Sequence, residues 1–169
     1  MDISPIDGAL FRRAMASFAS GVTVVTTFTE DGTVAGLTAS AFSSLSLDPP
    51  LVLVCPALTS RTLPHILARR QFAIHILADG QSGLATTFAR SGADLSGIGW
   101  TRSLLGNPLL EGAACIIECS LWANHDGGDH AILVGQVQAI DLPEPAAGTL
   151  LYHRGALTDL PAPALGADR

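Results

Sequence analysis

At 169 residues, 48% of them apolar, the chain is long enough for one self-sufficient core and too varied for disorder. Its formal net charge of −6 and lack of a basic run leave nucleic acid and anionic membrane nothing to hold, so neither is expected as a partner. An anionic ligand would have to be gripped locally, by a few arginines and backbone amides.

The opening MDISPIDGALFRRAM carries acids where a signal peptide carries bases. The longest apolar runs, such as Leu51–Cys55, fall far short of the ~20 residues a membrane helix needs. A cytoplasmic protein is expected. Ser4 as N-cap, Pro5 at the first helical position and Asp7 in the first turn predict a helix. Its apolar stripe is Ile6, Leu10, Ala14 and Phe18 flanked by Phe11 and Met15, and Gly21 is placed to stop it. Such a helix is expected to lie across one end of a barrel. β texture follows. Val22–Phe28 is almost wholly β-branched, with Glu30-Asp31-Gly32 as a turn. Leu51–Cys55 reads as a strand buried on both faces, and Gln71–Leu77 as another. Ile116–Ala123 and Ala131–Asp141 form a late pair joined by a turn rich in Gly and Asp. Short helices fit around Leu63–Arg69 and Gln81–Arg90. Strands that adjoin through turns favour an antiparallel barrel with peripheral helices over a parallel α/β sheet.

The chain reads as a single domain over 1–169, with a core of about 8–160 and 161–169 as a loose tail. Pro143–Gly148 reads as a loop. Cys55, Cys115 and Cys119 form no C-x-x-C and have no His at zinc-ligand spacing, so packed, reduced thiols and no metal are expected. Gly97-Ile98-Gly99 fails as a dinucleotide fingerprint, because position 102 is Arg and no β-rich run precedes it. Any nucleotide is therefore held without a Rossmann fold.

The richest stretch runs from Gly36 through Thr38-Ala39-Ser40-Ala41-Phe42-Ser43-Ser44-Leu45 to Pro50. Small and hydroxyl side chains let a ligand ring approach the backbone and bond its polar edge there. An ordinary Ser-rich edge strand has the same composition. With Phe18–Thr26 upstream, Gly128-Asp129-His130, and Tyr152-His153-Arg154-Gly155, it resembles the flavin reductase family of two-component monooxygenases, in the right order over roughly 8–160. The resemblance implies an FMN-binding split β-barrel, antiparallel and Greek-key-like, acting as a homodimer with flavin near the subunit interface.

Carried over residue by residue, it places Thr38, Ala39, Ser40 and Ala41 along the isoalloxazine and ribityl portion, with Ser44 and Leu45 beside them. Thr59, Ser60, Arg61 and Thr62, before a helix start, would make a phosphate cradle of amides, hydroxyls and a guanidinium. Phe88 and Arg90 match positions near the flavin phosphates. His130, the candidate catalytic residue, would face the nicotinamide side of the flavin, to orient the nicotinamide or to donate to charge developing on the reduced flavin, with orientation favoured; Asp129 would fix the imidazole tautomer or merely end its turn. Tyr152 and Arg154 would approach the dinucleotide, although Ala156 and Leu157 stand where the family often has an aromatic. His65, His75, His125 and His153 read as structural, and Trp100 and Trp122 as core or interface. The implied activity is hydride transfer from NADH or NADPH to FMN or FAD, with reduced flavin passed to a flavin-dependent monooxygenase. A corrin reductase on the same barrel and a non-catalytic flavin-binding module are the alternatives.

Overall fold

The computed structural model describes residues 5–163, and Ser4 and the tail from 164 onward lie outside them. The first helix, α1, spans Gly8–Met15, and its N-cap is Asp7, whose carboxylate accepts from the Leu10 amide at 3.0 Å. Pro5 and Ile6 therefore precede the helix instead of opening it. Gly21 does not end it either: the last turn closes at Ala16, whose amide donates to Arg12, and Gly21 pairs with Leu151 in a strand. A carboxylate placed to receive a free first-turn amide outweighs Pro5 as a start signal.

Twelve strands follow, interleaved with two more helices. They are β1 (Ser20–Gly21), β2 (Thr23–Phe28), β3 (Val34–Ala39), β4 (Phe42–Leu47), β5 (Pro50–Val54), α2 (Leu63–Arg69), β6 (Gln71–Ile76) and α3 (Ser82–Phe88). Then come β7 (Trp100–Arg102), β8 (Pro108–Leu110), β9 (Cys115–Gly127), β10 (His130–Asp141), β11 (Thr149–His153) and β12 (Ala156–Leu160). The seven-stranded sheet runs β3-β2-β6-β9-β10-β5-β4, antiparallel at every pairing. Its two edge strands, β3 and β4, are joined by only Ser40 and Ala41. So short a link between opposite edges requires the sheet to curl round on itself, leaving a split where β3 and β4 meet without pairing. This is the expected split barrel. A small sheet, β1-β11-β12, sits at the end of the split through the Ser20–Tyr152 pairing.

Strand β2 is buried at all six positions because it separates two cores. Val25 faces the barrel interior with Ile66, Phe72, Ile74, Leu133 and others. Val22 and Val24 face a second cluster with Leu77, Ala85, Phe88 and Leu150, which anchors α3. The threonines between them are satisfied: Thr23 donates to Ala39 at 2.7 Å, Thr26 to Pro108 at 2.7 Å, and Thr27 to Gln71 at 2.9 Å. His75 is fully buried, its Nδ1–H donating to Val24 and its Nε2 accepting from the Leu110 amide, both at 3.0 Å. The structural reading of this histidine holds.

One expectation needs correction, and a second is narrowed. In β5 only Val52 and Val54 are buried, while Leu51 and Leu53 are half-covered, because β4 and β10 flank it and nothing lies beyond one face. Of the core or interface reading of Trp100 and Trp122 only the core half falls: both are exposed on the surface of the chain, and Trp100 meets Phe28 edge-on at 5.4 Å. The stripe of α1 is not buried in its own chain: Leu10, Phe11 and Met15 are each more than half exposed. Among the described residues, no helix is long and apolar enough to cross a membrane.

Candidate active site

A groove follows the outer edge of β3, between that strand and α3. Its widest part, a slot of about 410 Å³, is walled by Thr38, Ser40, Ala85, Ala89, Tyr152 and Leu157. Small residues dominate because backbone must come close. Thr38 donates its hydroxyl hydrogen to the Ala85 carbonyl at 2.6 Å, tying strand to helix and setting the slot's width. Two residues back, Gly36 passes beneath the Phe88 ring. A Cβ there would fall 2.5 Å from the ring and 3.1 Å from the Val25 carbonyl, so only glycine fits.

The slot continues through Thr38 and Ala89 into a recess of about 250 Å³ formed by Gly36, Thr59–Thr62 and Phe88–Gly92. The Thr59–Thr62 turn is held from within. Ser60 receives the Thr62 amide at 3.2 Å, and the buried Thr62 hydroxyl donates to the Gly36 carbonyl at 2.9 Å. Thr62 therefore positions the cradle with its side chain more than it offers that side chain to a ligand. Arg61 and Arg90 line the recess from opposite elements. Among the described residues the one ion pair within 4 Å is His130–Asp129, so neither guanidinium has a carboxylate partner. In a chain carrying fifteen acidic and nine basic residues, two arginines without a carboxylate partner among the described residues and facing one concavity give it the charge to suit an anion. Gly92, at φ +72°, makes room for one of them: a Cβ there would lie 2.9 Å from the Arg61 Nη1.

The hairpin joining β9 and β10 carries Asp129 and His130. It is pinned to the cradle's approach segment, since Leu58 donates to the Asp129 carbonyl and Ala131 to that of Pro56, both at 2.9 Å. His130 Nδ1–H donates to the Asp129 carboxylate at 2.6 Å, which holds that carboxyl below its usual range, by the hydrogen bond first and the neighbouring imidazole charge second. That bond leaves Nε2 as the uncommitted ring nitrogen. Neither side chain lines the groove; Ala57, bridged to His130, is the nearest link to it.

A flavin reductase like domain matches residues 15–161. The chain belongs to the flavin reductase family. The reductase subunit HsaB of a flavin-dependent monooxygenase from Rhodococcus jostii is 40% identical over 157 residues, spanning 92% of this chain and 79% of that protein. The FMN reductase (NADH) SmoA of Agrobacterium fabrum is 42% identical over 127 residues, 75% of this chain and 72% of SmoA. Among solved structures, the NADH:FAD oxidoreductase SgcE6 of Streptomyces globisporus superposes with a TM-score of 0.86 at 34% identity, covering 96% of this chain and 98% of SgcE6.

For a flavin reductase the groove suits the cofactor's parts in order: a ring-sized slot of small residues, then a recess with two free guanidinium groups. Thr38 and Ser40 line the slot, and Ala41 lines the adjoining pocket under α1. Ala39 points into the barrel core and contributes backbone alone. Thr59, Ser60, Arg61, Thr62, Phe88 and Arg90 all line the recess. Ser44 and Leu45 stand apart, exposed on β4 where a bulge interrupts its pairing with β5. Tyr152 reaches both the slot and the pocket under α1, whereas Arg154, at φ +50°, is tied by its amide to Ala16 and lines neither. The sequence reading missed Val22, Ala85 and Ala89 as slot walls and Gly92 as the residue that admits Arg61. Only the Ala85–Ala89 spacing of four along α3, a small-residue face, hinted at any of them.

Proposed function

We propose that this chain is an NADH-using flavin reductase that binds flavin along β3 and works as a homodimer serving a separate monooxygenase. The observation that carries it is the pairing of a ring-sized slot with two unpaired arginines in the recess next along the same strand. Flavin and nicotinamide together supply the hydride chemistry. This chain's residues bind, orient and exclude. Arg61, Arg90 and the Thr59–Thr62 turn hold phosphate; backbone N–H groups between Thr38 and Ala41 favour the negative charge that reduction brings to the ring's pyrimidine edge. Tyr152 and His130 orient the nicotinamide, with Asp129 fixing the imidazole as the Nδ1–H tautomer.

The dimer reading rests on uncovered apolar surface. α1 buries none of its residues, and Phe18, Leu45 and Leu47 are exposed beside the split. The pocket under α1 opens into the slot through Ser40 and Tyr152, so a second copy seated on α1 would close that end against water. Anaerobic mixing of protein, flavin and NADH tests the activity, and bleaching no faster than in the protein-free mixture rejects it. Sedimentation tests the assembly: a species of twice the 17.4 kDa chain mass is expected, and a monomer at micromolar concentration rejects it.

A further inference from the structure

We propose that this chain selects FAD over FMN, with its diphosphate spanning Arg61 and Arg90 and its adenosine in a recess lined by Val34, His65 and Leu95; the inference rests on the flavin reading above. The two arginines do not close the groove. They line the 250 Å³ recess on one side and a further recess of about 380 Å³ on the other, as do Gly36, Thr62, Phe88 and Gly92. A site built for a terminal monophosphate would place its cations at a blind end. Here the cations stand midway, as a diphosphate bridge requires.

The strand supplies the track. Thr38, Gly36 and Val34 share one face of β3 by the two-residue period, and from Thr38 to Val34 the strand advances about 13 Å. Thr38 faces the ring slot, Gly36 the arginines, and Val34 the far recess. The walls there suit a purine riboside: Val34, Ala35 and Leu95 are apolar, and the His65 side chain has no hydrogen-bond partner among the described residues. Thr87 donates to the Gly83 carbonyl at 3.0 Å, leaving its oxygen lone pairs to accept from a ribose hydroxyl or an exocyclic amine. The recess is bounded by a stiff turn, in which Thr33 donates to Asp31 at 2.9 Å and shares a 2.7 Å hydrogen bond with Thr29.

Equilibrium dialysis of the purified protein against FAD, FMN or riboflavin, without nicotinamide, tests the assignment. FAD is expected to bind at least tenfold more tightly than FMN. Val34→Glu, which puts bulk and negative charge in the far recess, is expected to remove that advantage, and Val34→Thr to keep it. His65→Ala, on a different element, is expected to shift FAD binding in the same direction, so the result does not hang on one variant's folding. Equal binding of FAD and FMN overturns the proposal. So does a preference that survives both Val34→Glu and His65→Ala, or a Val34→Glu that raises the KM for NADH and leaves FAD binding alone. FAD preference without NADH turnover upholds it while rejecting the reductase reading; rapid turnover with no preference does the reverse.

Discussion

The two ends of the groove are built differently. At the proposed phosphate end, Arg61, Arg90, Gly36 and Gly92 come from three segments of one chain and are fixed by internal bonds such as Thr62 to Gly36 and Thr38 to Ala85. At the proposed nicotinamide end, Tyr152 is half-exposed and the α1 side chains are exposed, while the Asp129–His130 pair stands off the groove on its own hairpin. The first end is held by bonds within the chain; the second has far fewer of them. The contrast matches the task. A group that must be gripped needs fixed charge, while one that must arrive and leave needs access.

The largest effect is expected at the fixed end. Replacing both Arg61 and Arg90 by Ala removes two charge-assisted anchors, each about 1.5–3 kcal/mol. The KM for FMN or FAD should rise at least a hundredfold, while riboflavin, which has no phosphate, should be almost unaffected. Equal losses for riboflavin and FMN would break the comparison, because the arginines would then be acting on the fold.

His75 ties the phosphate-end scaffold together by a different route, bonding β2 and β8 from inside the protein. Burial depresses its pKa from 6.5 to about 4, opposed only in part by its hydrogen bond to Val24. The unfolded chain takes up a proton between those values and the folded chain does not. Stability therefore falls as pH drops from about 6.5 toward 4, by about 2 kcal/mol at pH 5 and about 3 kcal/mol in all. Asp31, Asp94 and Asp129 are shifted down from 3.8, so their losses come at still lower pH and leave pH 5–6.5 to His75. Urea midpoints at pH 7.5 and 5 measure the slope, and His75→Gln should flatten it. A flat wild-type profile would show that the ring titrates freely.

A smaller effect sharpens how Arg61 is held. Gly92→Ala puts a Cβ against the guanidinium in a backbone conformation that L residues rarely adopt, at a cost of about 1–2 kcal/mol. Flavin KM should rise roughly tenfold, about 1.4 kcal/mol, with kcat kept. An unchanged KM would mean that Arg61 reaches its ligand from another rotamer.

How much of this was legible follows from sequence distance. Thr59–Thr62 lies in one stretch with its chemistry written in residue types, and α2 was placed correctly over Leu63–Arg69. The β9–β10 hairpin was legible from its apolar runs and its turn. The slot's opposite wall was not. Ala85, Ala89 and Gly92 carry no chemistry of their own and matter only because α3 packs against β3. What covers α1 was not legible for a related reason: an apolar stripe shows that a face needs covering without saying whether its own chain covers it.

The smallest effect probes the Asp129–His130 hairpin. His130→Ala removes an imidazole whose Nδ1–H is committed to Asp129, so only Nε2 remains to meet the nicotinamide. If Nε2 orients the carboxamide by one ordinary hydrogen bond, about 1 kcal/mol is at stake, and the KM for NADH should rise about fivefold with kcat nearly constant. Asp129→Asn keeps an acceptor for Nδ1–H and should cost less. A proton-delivering His130 would behave otherwise: kcat would fall at constant KM. Hydride transfer needs no side-chain acid, and an exposed imidazole outside the groove is poorly placed to supply one. The KM-against-kcat split therefore decides whether His130 guides the reductant or takes part in its chemistry.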